Sequence, residues 1–302
     1  MVTGYLGSGK TTFIKHFLDR YAPDYRIGVI QNEYAGANID TTELQMSGRK
    51  FEVLEINNGS VFCICLLANF IDSMAAFMDE YNPELVILEA SGLSDPIAVA
   101  ELLQHEKLQG RVYLGYVWSI IDSVNFHKVV QMAERLKRQI MISDALIINK
   151  TDLGGDNLPF VHEQLGKLNP DAVQVEASYC DIPFGPLEDM IAGDPVAILQ
   201  APIHNKTAPL ERAMINTVVL KTTFKIDGRK FDLFMKEVEK KLIRMKGFVN
   251  LEDGQTLRIQ SIFGTTRTEN IDHYSAPTEI IGIGFGITSA DFGKKFHFHR
   301  KA

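Results

Sequence analysis

Short runs of apolar, mostly β-branched residues alternate with longer amphipathic stretches up to about residue 195. The apolar runs are Arg26–Ile30, Phe51–Ile56, Leu85–Leu88, Val112–Ile121, Ala145–Ile148 and Ala172–Val175. The helix-length stretches include Thr11–Tyr21, Ala68–Glu80, Pro96–Leu103 and Phe126–Ser143. Unbroken apolar runs are typical of strands buried on both faces, and alternation with helices is typical of a parallel sheet. The pattern predicts an α/β domain over residues 1–195, with a mostly parallel sheet and helices on both faces.

The pattern changes after residue 195. Residues 196–213 lose periodicity and contain Pro202 and Pro209, which predicts a linker. Beyond it, Thr217–Phe224 alternates like a strand, and Lys230–Met245 has the pattern of an amphipathic helix. The apolar face of that predicted helix comprises Phe231, Phe234, Met235, Val238 and Leu242. Further strand-like segments are Phe248–Leu251, Thr256–Phe263 and Glu279–Thr288. We therefore expect a smaller α+β domain over residues 214–302.

Composition and charge exclude several kinds of partner. The 302 residues carry 31 Lys+Arg and 38 Asp+Glu, a formal net charge of −7. An acidic balance disfavours a nucleic-acid groove or an anionic membrane surface. The first residues show no signal peptide, and no apolar run approaches the roughly 20 residues of a membrane span. Three Cys are too few for a disulfide framework, so we expect a cytoplasmic protein.

The segment Gly4–Thr11 fits G-x-x-x-x-G-K-[ST], the phosphate-binding loop of P-loop NTPases. Lys10 would reach the β- and γ-phosphates, and the Thr11 hydroxyl would ligate Mg²⁺. The other residues predicted to contact nucleotide here are Gly4, Gly7, Ser8, Gly9 and Thr12. The alternative is a chance glycine-rich turn. Only Met1–Thr3 precede the loop, whereas a strand typically has about 5–6 residues, so either the first strand is short or the natural start lies upstream.

A candidate guanine-reading loop follows the run Ala145–Ile148 and has the sequence Asn-Lys-Thr-Asp. The Asp152 carboxylate can accept hydrogen bonds from N1–H and the exocyclic amine of guanine, which adenine does not offer in that arrangement. Lys150 can lay its alkyl stem over the ring, and Asn149 can tie the loop together. Ser178, after the next predicted strand, is a further candidate for closing over the guanine carbonyl. The alternative for this segment is an ordinary turn.

Candidate groups for hydrolysis lie at Glu89, the end of a predicted buried strand, and at Gly92. Glu89 could hold Mg²⁺ through water or order the attacking water, and the Gly92 N–H could contact the γ-phosphate. The alternative for Glu89 is an exposed acid at a strand end.

The polar segment from Gln31 to Asp40 predicts a switch loop, in which Glu33 and Asp40 are the acids that could face a metal ion. We identify no Gln that would orient water and no Arg that would act as an internal finger, so we expect slow hydrolysis without a partner.

These motifs together resemble the CobW-like GTPases, relatives of the UreG and HypB metallochaperones, over nearly the whole chain. The matching residues are Thr3–Thr12, Asn32-Glu33 with Ile39-Asp40, Glu89-x-Ser91-Gly92-Leu93-x-Asp95-Pro96, Asp122, and Arg244-x-Lys246-Gly247-Phe248. The resemblance implies a GTP-driven switch that helps deliver or insert a metal, often zinc or cobalt, into a client protein.

One loop departs from that family. The family usually has Asn-Gly-Cys-x-Cys-Cys after the second core strand, whereas Asn58–Leu66 reads N-G-S-V-F-C-I-C-L. The loop thus offers two thiolates, Cys63 and Cys65, which could contribute to a tetrahedral site with Glu33 as a third donor. The alternative is that both are reduced residues packed beneath the switch, since free Cys is often buried.

Other residues of metal-binding type carry less weight. Cys180 follows the candidate guanine loop, and we expect a structural role for it. His297 and His299 form an H-x-H on a predicted strand among basic residues. We interpret them as part of a solvated basic tail. Alternation along a strand would place both His on one face, but the segment offers no further ligands for a metal ion.

Three functions remain open. The first is a GTPase switch that serves zinc or cobalt delivery. The second is a GTPase chaperone of a cofactor-dependent enzyme, for example a corrinoid enzyme, which carries no metal itself. The third is a P-loop small-molecule kinase or ATPase, which Asn149–Asp152 and the lack of a recognisable lid motif disfavour. The expected partners are guanine nucleotide and a client protein that docks on the second domain. The oligomeric state is open, with a homodimer as one option.

Overall fold

The structure is a computed structural model. It describes residues 1–32, 51–56, 64–90, 96–130, 134–185, 187, 215–262, 265–271 and 274–301. The chain forms two compact units, Met1–Pro96 with Gly115–His204, and Ile97–Leu114 with Asn205–Ala302. The predicted linker at 196–213 lies outside the described residues.

The first unit contains a seven-stranded sheet in which every recorded strand pair is parallel. Its strands are β1 (Val2–Gly4), β2 (Ile27–Asn32), β3 (Glu52–Ile56), β4 (Leu85–Glu89), β5 (Trp118–Asp122), β6 (Ala145–Asn149) and β7 (Val173–Glu176), in the order β3-β2-β4-β1-β5-β6-β7. The helices that follow these strands are α1 (Lys10–Tyr21), α2 (Ile64–Tyr81), α3 (Pro96–Leu102), α4 (Phe126–Val129), α5 (Glu134–Ile142) and α6 (Leu158–Leu168).

Helices cover both faces of this sheet, as the sequence predicts. Ile147 of β6 packs in a cluster with Phe13 of α1, while its neighbour Ile148 packs in a separate cluster with Leu136 and Val161. Successive side chains of a strand point to opposite faces. Strand β6, which lies between two helical layers, is therefore apolar from Ala145 to Ile148, and this is why its apolar run predicted it.

Two elements of the first unit are shorter than predicted. The run Val112–Ile121 forms a strand only from Trp118 onward. The predicted helix Phe126–Ser143 is interrupted, because α4 ends at Val129 and α5 begins at Glu134.

β1 has three residues, yet it lies between β4 and β5 at the middle of the sheet. No described helix has the length and apolar character needed to cross a bilayer.

The second unit is built on a five-stranded antiparallel sheet. Its strands are β8 (Ile215–Thr222), β9 (Leu242–Asn250), β10 (Thr256–Ile262), β11 (Thr265–Ile271) and β12 (Thr278–Phe285), in the order β11-β10-β9-β12-β8. Two helices, α7 (Gly228–Val238) and α8 (Ser289–Lys301), pack with this sheet. Phe234 of α7 and Phe296 of α8 lie in one hydrophobic core with side chains of the strands. The predicted α/β fold with a smaller α+β domain is confirmed.

The second unit also contains Ile97–Leu114, a segment that includes most of α3. Glu101 pairs with Lys221 of β8 at 3.8 Å, and the Leu114 N–H donates to Thr217 Oγ1 at 3.1 Å.

Three sequence-based predictions in this unit were wrong. The helix predicted over Lys230–Met245 ends at Val238, and Leu242 lies in β9. Strand β11 was missed because its residues, Thr265–Ile271, are mostly polar. His297 and His299 lie on helix α8 and not on a strand, because Phe292 and Phe296 bury one helical face in the core.

The two histidines therefore do not share a face. The His297 ring contacts Phe224 with 5.3 Å between centroids, and His299 Nε2 lies 2.8 Å from Glu237 Oε2.

Candidate nucleotide-binding site

The candidate phosphate loop connects β1 to α1, and its shape depends on glycine. Gly4 has a φ of 140°, and a Cβ there would lie 2.4 Å from the Ile120 carbonyl oxygen. Gly9, just before α1, has a φ of 110°, and its Cβ would lie 2.5 Å from Asn149 Nδ2. Both the left-handed backbone and the close approach exclude larger residues at these two positions. The loop therefore curls at the N-terminus of α1, where backbone N–H groups favour anions.

Two side chains of the loop suit a phosphate ligand. Lys10 Nζ donates to the carbonyl oxygens of Gly4 and Tyr5 at 3.2 and 3.3 Å, so its ammonium folds back over the loop. Ser8 is fully buried, and its Oγ has no hydrogen-bond partner within the described part of the chain. Buried hydroxyls are normally paired, so an unpaired one in this loop fits an absent ligand oxygen.

Glu89 lies beside the loop at the end of β4. Its Oε1 accepts a hydrogen bond from Thr11 Oγ1 at 3.3 Å. The side chain is only 8% exposed, so it is not the exposed strand-end acid that the sequence left as an alternative. A buried carboxylate next to the Thr11 hydroxyl forms the kind of oxygen ligand set that Mg²⁺ prefers.

Gln31 is a residue whose contact the sequence did not predict. It is buried on β2, in register with Glu89, and its Nε2 donates to Glu89 Oε2 at 2.8 Å. The sequence placed Gln31 only at the start of the switch segment. Gln31 and Glu89 each follow an apolar run in the sequence, which marks both as polar residues at strand ends. The sequence does not reveal that the two strands are neighbours in the sheet.

Asn149 connects three loops. Its Nδ2 donates to the Ser8 carbonyl at 2.8 Å, and its Oδ1 accepts from the Cys180 N–H at 2.8 Å. The candidate phosphate loop, the candidate guanine loop and the loop after β7 thus meet at one amide side chain. The role of Asn149 in nucleotide binding stays a prediction.

Thr151 of the candidate guanine loop also contacts the loop after β7. Thr151 Oγ1 donates to the Ala177 carbonyl at 3.1 Å and lies 3.1 Å from Ser178 Oγ. Asp152 is exposed. Lys150 has a φ of 64°, and its Nζ lies 2.8 Å from Asp122 Oδ2.

Asp122 is buried and ionised by this arrangement. Burial alone would raise the pKa of its carboxyl group, but hydrogen bonds from Lys150 and Asn125 and the Lys150 charge lower the pKa overall. Asp122 was noted in the sequence only as part of the family resemblance.

Cys180 is part of the scaffold of the site. It is fully buried, its Sγ donates to the Gly9 carbonyl at 3.3 Å, and burial raises the pKa of its thiol to about 12. A thiol with that pKa is protonated at neutral pH and is a poor metal ligand, which agrees with the structural role expected from the sequence.

Several predicted site residues lie outside the described residues. These are Glu33, Asp40, Cys63, Ser91 and Gly92. Cys65 lies within α2, in a part of the helix for which side chains are not described. Among the residues that are described, no group of three or more His, Cys, Asp or Glu could hold a metal ion. The transition-metal site stays a prediction.

The described residues of the site lie where parallel sheets bind ligands. The loops after β1, β6 and β7 all leave the carboxyl ends of their strands, the edge at which open α/β sheets form crevices. The phosphate loop and the guanine loop meet there through Ser8 and Asn149. The arrangement fits a ligand with an anionic end and a planar hydrogen-bonding end, such as a nucleotide.

Known proteins resemble this chain along most of its length. The zinc chaperone YjiA of Escherichia coli is 25% identical over 280 residues, covering 86% of this chain and 83% of YjiA. The zinc-regulated GTPase metalloprotein activator 1 of Saccharomyces cerevisiae is 28% identical over 230 residues, covering 66% of this chain and 52% of the yeast protein. The crystal structure of Zn(II)-bound YjiA GTPase from E. coli has a TM-score of 0.46 and 20% identity, covering 99% of this chain and 97% of that chain.

Two family profiles account for both units. The profile of the CobW/HypB/UreG nucleotide-binding domain matches residues 1–176, which is more than half of the chain. The profile of the cobalamin synthesis protein CobW C-terminal domain matches residues 215–297. This chain therefore belongs to the CobW/HypB/UreG family and carries the CobW C-terminal domain.

Proposed function

We propose that this protein binds and hydrolyses GTP and uses that cycle to help deliver a metal ion, zinc or cobalt, to a client protein. The observation that carries the nucleotide half of the proposal is the Asn149 side chain, which bonds to Ser8 of the phosphate loop and to Cys180 after β7. One amide thereby fixes the distance between the phosphate end and the base end of the site.

At the phosphate end, Lys10 exchanges its bonds to the Gly4 and Tyr5 carbonyls for bonds to the β- and γ-phosphates. Thr11 Oγ1 and Glu89, which lie within hydrogen-bond distance of each other, would hold Mg²⁺, the carboxylate either directly or through water. Bound Mg²⁺ supplies charge neutralisation on the phosphates. The backbone of the loop, the Ser8 hydroxyl and Thr12 complete the cradle, and the Gly92 N–H contacts the γ-phosphate.

At the base end, Asp152 accepts the N1–H and the exocyclic amine of guanine. Lys150 covers one face of the ring with its alkyl stem, and Ser178 lies within reach of the guanine carbonyl. The tie from Thr151 to Ala177 and Ser178 holds the two loops together around the base.

We propose that hydrolysis is slow in the isolated protein. The candidate water-ordering group is the Glu89 carboxylate, whose two oxygens are engaged by Thr11 and Gln31. The sequence shows no motif that would supply an arginine finger. A client or other partner would then accelerate turnover by completing the site.

The metal half of the proposal rests on the family and on the names of the two relatives described above, both of which refer to zinc. Cys63 and Cys65, with Glu33 from the switch segment, are the proposed ligands of the cargo metal. Because this loop has two thiolates where the family usually has three, a chaperone of a cofactor-dependent enzyme that carries no metal is the second candidate. Both functions suit a cytoplasmic protein with reduced thiols.

Nucleotide binding is tested with Asp152→Asn. Calorimetry on the wild type should show tighter binding of GDP than of ADP. In the variant, the GDP dissociation constant should rise at least about tenfold, or about 1.4 kcal/mol, because one acceptor oxygen of the carboxylate is lost. Asp156→Asn, at an exposed position in the following turn, is the matched control and should bind as the wild type does. A preference for ADP would overturn the assignment.

Metal cargo is tested by titrating zinc and cobalt into the wild type and into Cys63→Ser/Cys65→Ser. Tight binding in the wild type that is lost in the variant supports delivery by this protein. Equal weak binding in both would remove the cysteine loop from the mechanism and favour the second candidate. Cys180 is present in both proteins, so the comparison isolates the contribution of the Cys63 and Cys65 thiols.

A further inference from the structure

The turn that follows β5 packs directly against the proposed guanine loop. The Ser123 N–H donates to the Asn149 carbonyl at 3.1 Å, and Ser123 Oγ donates to the Lys150 carbonyl at 2.9 Å. The approach is close, because a Cβ on Gly154 would lie 2.2 Å from Ser123 Oγ. The backbone of the guanine loop is thus braced by residues that do not belong to the nucleotide motifs.

Asp122 is the central acceptor of this turn. Its Oδ1 accepts from the N–H groups of Val124 and Asn125 at 3.0 and 3.1 Å. Its Oδ2 accepts from Asn125 Nδ2 at 3.1 Å and from Lys150 Nζ at 2.8 Å. The side chain is 8% exposed. Oδ1 therefore organises the turn itself, while Oδ2 bonds both to Asn125 of the turn and to Lys150 of the guanine loop.

Lys150 is held at both ends. Its backbone has a φ of 64°, and its carbonyl also accepts from the N–H groups of Leu153 and Gly154, each at 3.0 Å. Its ammonium is held by the buried Asp122 carboxylate. A free lysine side chain has many rotamers, and ordering it on binding costs entropy. With both ends fixed, most of that ordering is complete before a ligand arrives.

We infer that Asp122 is a positioning residue for the nucleotide base, which holds the Lys150 stem in the conformation that covers the guanine ring. The inference rests on the proposed function, because it requires Lys150 to contact the base. Asp122 does not touch the nucleotide and acts through Lys150. Preorganised contacts raise affinity by lowering the ordering cost of binding.

A purely structural role for Asp122 makes a different prediction. If the carboxylate only organises the turn, its loss would lower protein stability and would affect every ligand without regard to Lys150. Asp122→Asn separates the two roles, because an amide oxygen can still accept the Val124 and Asn125 N–H groups while the charge that holds Lys150 is lost.

In Asp122→Asn, the dissociation constant for GDP should rise about tenfold. The ratio of the GDP and IDP dissociation constants should stay within about twofold of the wild-type ratio, because Asp152 and not Lys150 reads the exocyclic amine. Asn125→Ala is the matched control. It removes another donor to the same carboxylate oxygen but leaves the Lys150 pair, so its GDP affinity should change less than about twofold.

The decisive measurement is a double-mutant cycle with Lys150→Met, which keeps the apolar stem and removes the ammonium. Asp122→Asn should cost about tenfold in GDP affinity in the wild-type background and less than about twofold in the Lys150→Met background. The same cost in both backgrounds, or no cost in either, would overturn the inference. Thermal melting of the four nucleotide-free proteins reports any change of stability separately.

Failure of the inference is distinguishable from failure of the proposed function. If the wild type prefers GDP to ADP and the cycle is additive, guanine recognition stands and the positioning role of Asp122 does not. If the wild type shows no preference for GDP, the proposed function fails and the inference fails with it.

Discussion

The hydroxyl of Thr11, in the first turn of α1, donates to the Glu89 carboxylate at the end of β4 over 3.3 Å. The two residues are 78 positions apart in the chain and meet because β1 and β4 are adjacent parallel strands, with Val2 in register with Glu89. The pair places a hydroxyl and a carboxylate, two oxygen groups of the kind that Mg²⁺ prefers, beside the candidate phosphate loop.

Replacement of Glu89 by Gln should lower the GTP hydrolysis rate at least about tenfold, since removing a group that stabilises or orders the reacting centre costs 10²–10³ in comparable cases. Affinity for nucleotide without Mg²⁺ should change little. Phosphate release under single-turnover conditions measures the rate. Glu163→Gln, at an exposed position on α6, is the control and should hydrolyse GTP as the wild type does. An unchanged rate in Glu89→Gln would exclude Glu89 from the reaction.

Gln31→Leu should also lower hydrolysis, though less than Glu89→Gln. The change keeps a side chain of similar length but removes the Nε2 donor that orients Glu89 at 2.8 Å. The loss of that donor at a buried carboxylate should cost about 1–3 kcal/mol of stability. We expect a several-fold fall in kcat with KM within about twofold, measured well below the melting temperature. If KM rose and kcat stayed the same, Gln31 would act on binding and not through Glu89.

Gly247→Ala should destabilise the second unit strongly. Gly247 has a φ of 158°, and a Cβ there would lie 2.1 Å from the Glu279 carbonyl on the neighbouring strand β12. We expect a loss of more than about 3 kcal/mol in the free energy of unfolding, measured with denaturant. Gly228→Ala, at the start of α7, is the control, because its nearest neighbour would be Leu251 Cδ1 at 4.0 Å. Equal stability of the two variants would contradict this packing.

Cys180 should resist thiol reagents in the folded protein. Its thiol is buried, and burial raises its pKa to about 12, so little thiolate exists at pH 8. In Cys63→Ser/Cys65→Ser, where Cys180 is the remaining thiol, a disulfide reagent should label the protein fully only after denaturation. Rapid labelling of the native protein at pH 8 would show that Cys180 is accessible.

The same pKa shift predicts a dependence of stability on pH. Above the ordinary thiol pKa of 9.0, the unfolded chain loses the Cys180 proton while the folded chain retains it. The free energy of unfolding should therefore fall as the pH rises from 9.0 toward about 12. When Cys180→Ala is added to Cys63→Ser/Cys65→Ser, this part of the fall in the free energy of unfolding should be absent.

Strands buried on both faces were predictable from the sequence because burial constrains every one of their positions. The run Ala145–Ile148 predicted β6, which is buried at every position from Ala145 to Asn149. The run Leu85–Leu88 also predicted β4, although Leu85, Val86 and Leu88 are only partly buried there. The loop glycines were equally informative. Gly4 and Gly9 have positive φ angles, and this local backbone conformation by itself favours glycine.

The hydrophobic pattern predicted the wrong secondary structure where the same apolar residues fit both a helical and a strand pattern. Leu242 and Met245 continue the helical spacing of Phe231, Phe234 and Val238, yet both belong to β9 and pack in the same core as the helix. Either secondary structure buries these side chains, so hydrophobic pattern alone does not distinguish them. The polar strand β11 was missed for a different reason. It is held by backbone pairing with β10 and not by apolar residues, so no hydrophobic pattern marks it.

The hydrophobic pattern determined the fold class, and local motifs indicated the candidate phosphate loop and the candidate guanine loop, because each depends on residues close together in the chain. The contacts between Glu89 and Gln31, Asn149 and Ser8, and Asp122 and Lys150 emerged only in three dimensions. Each of these pairs joins residues from different loops or strands. Their proximity follows from strand order and register, which a hydrophobic pattern does not encode.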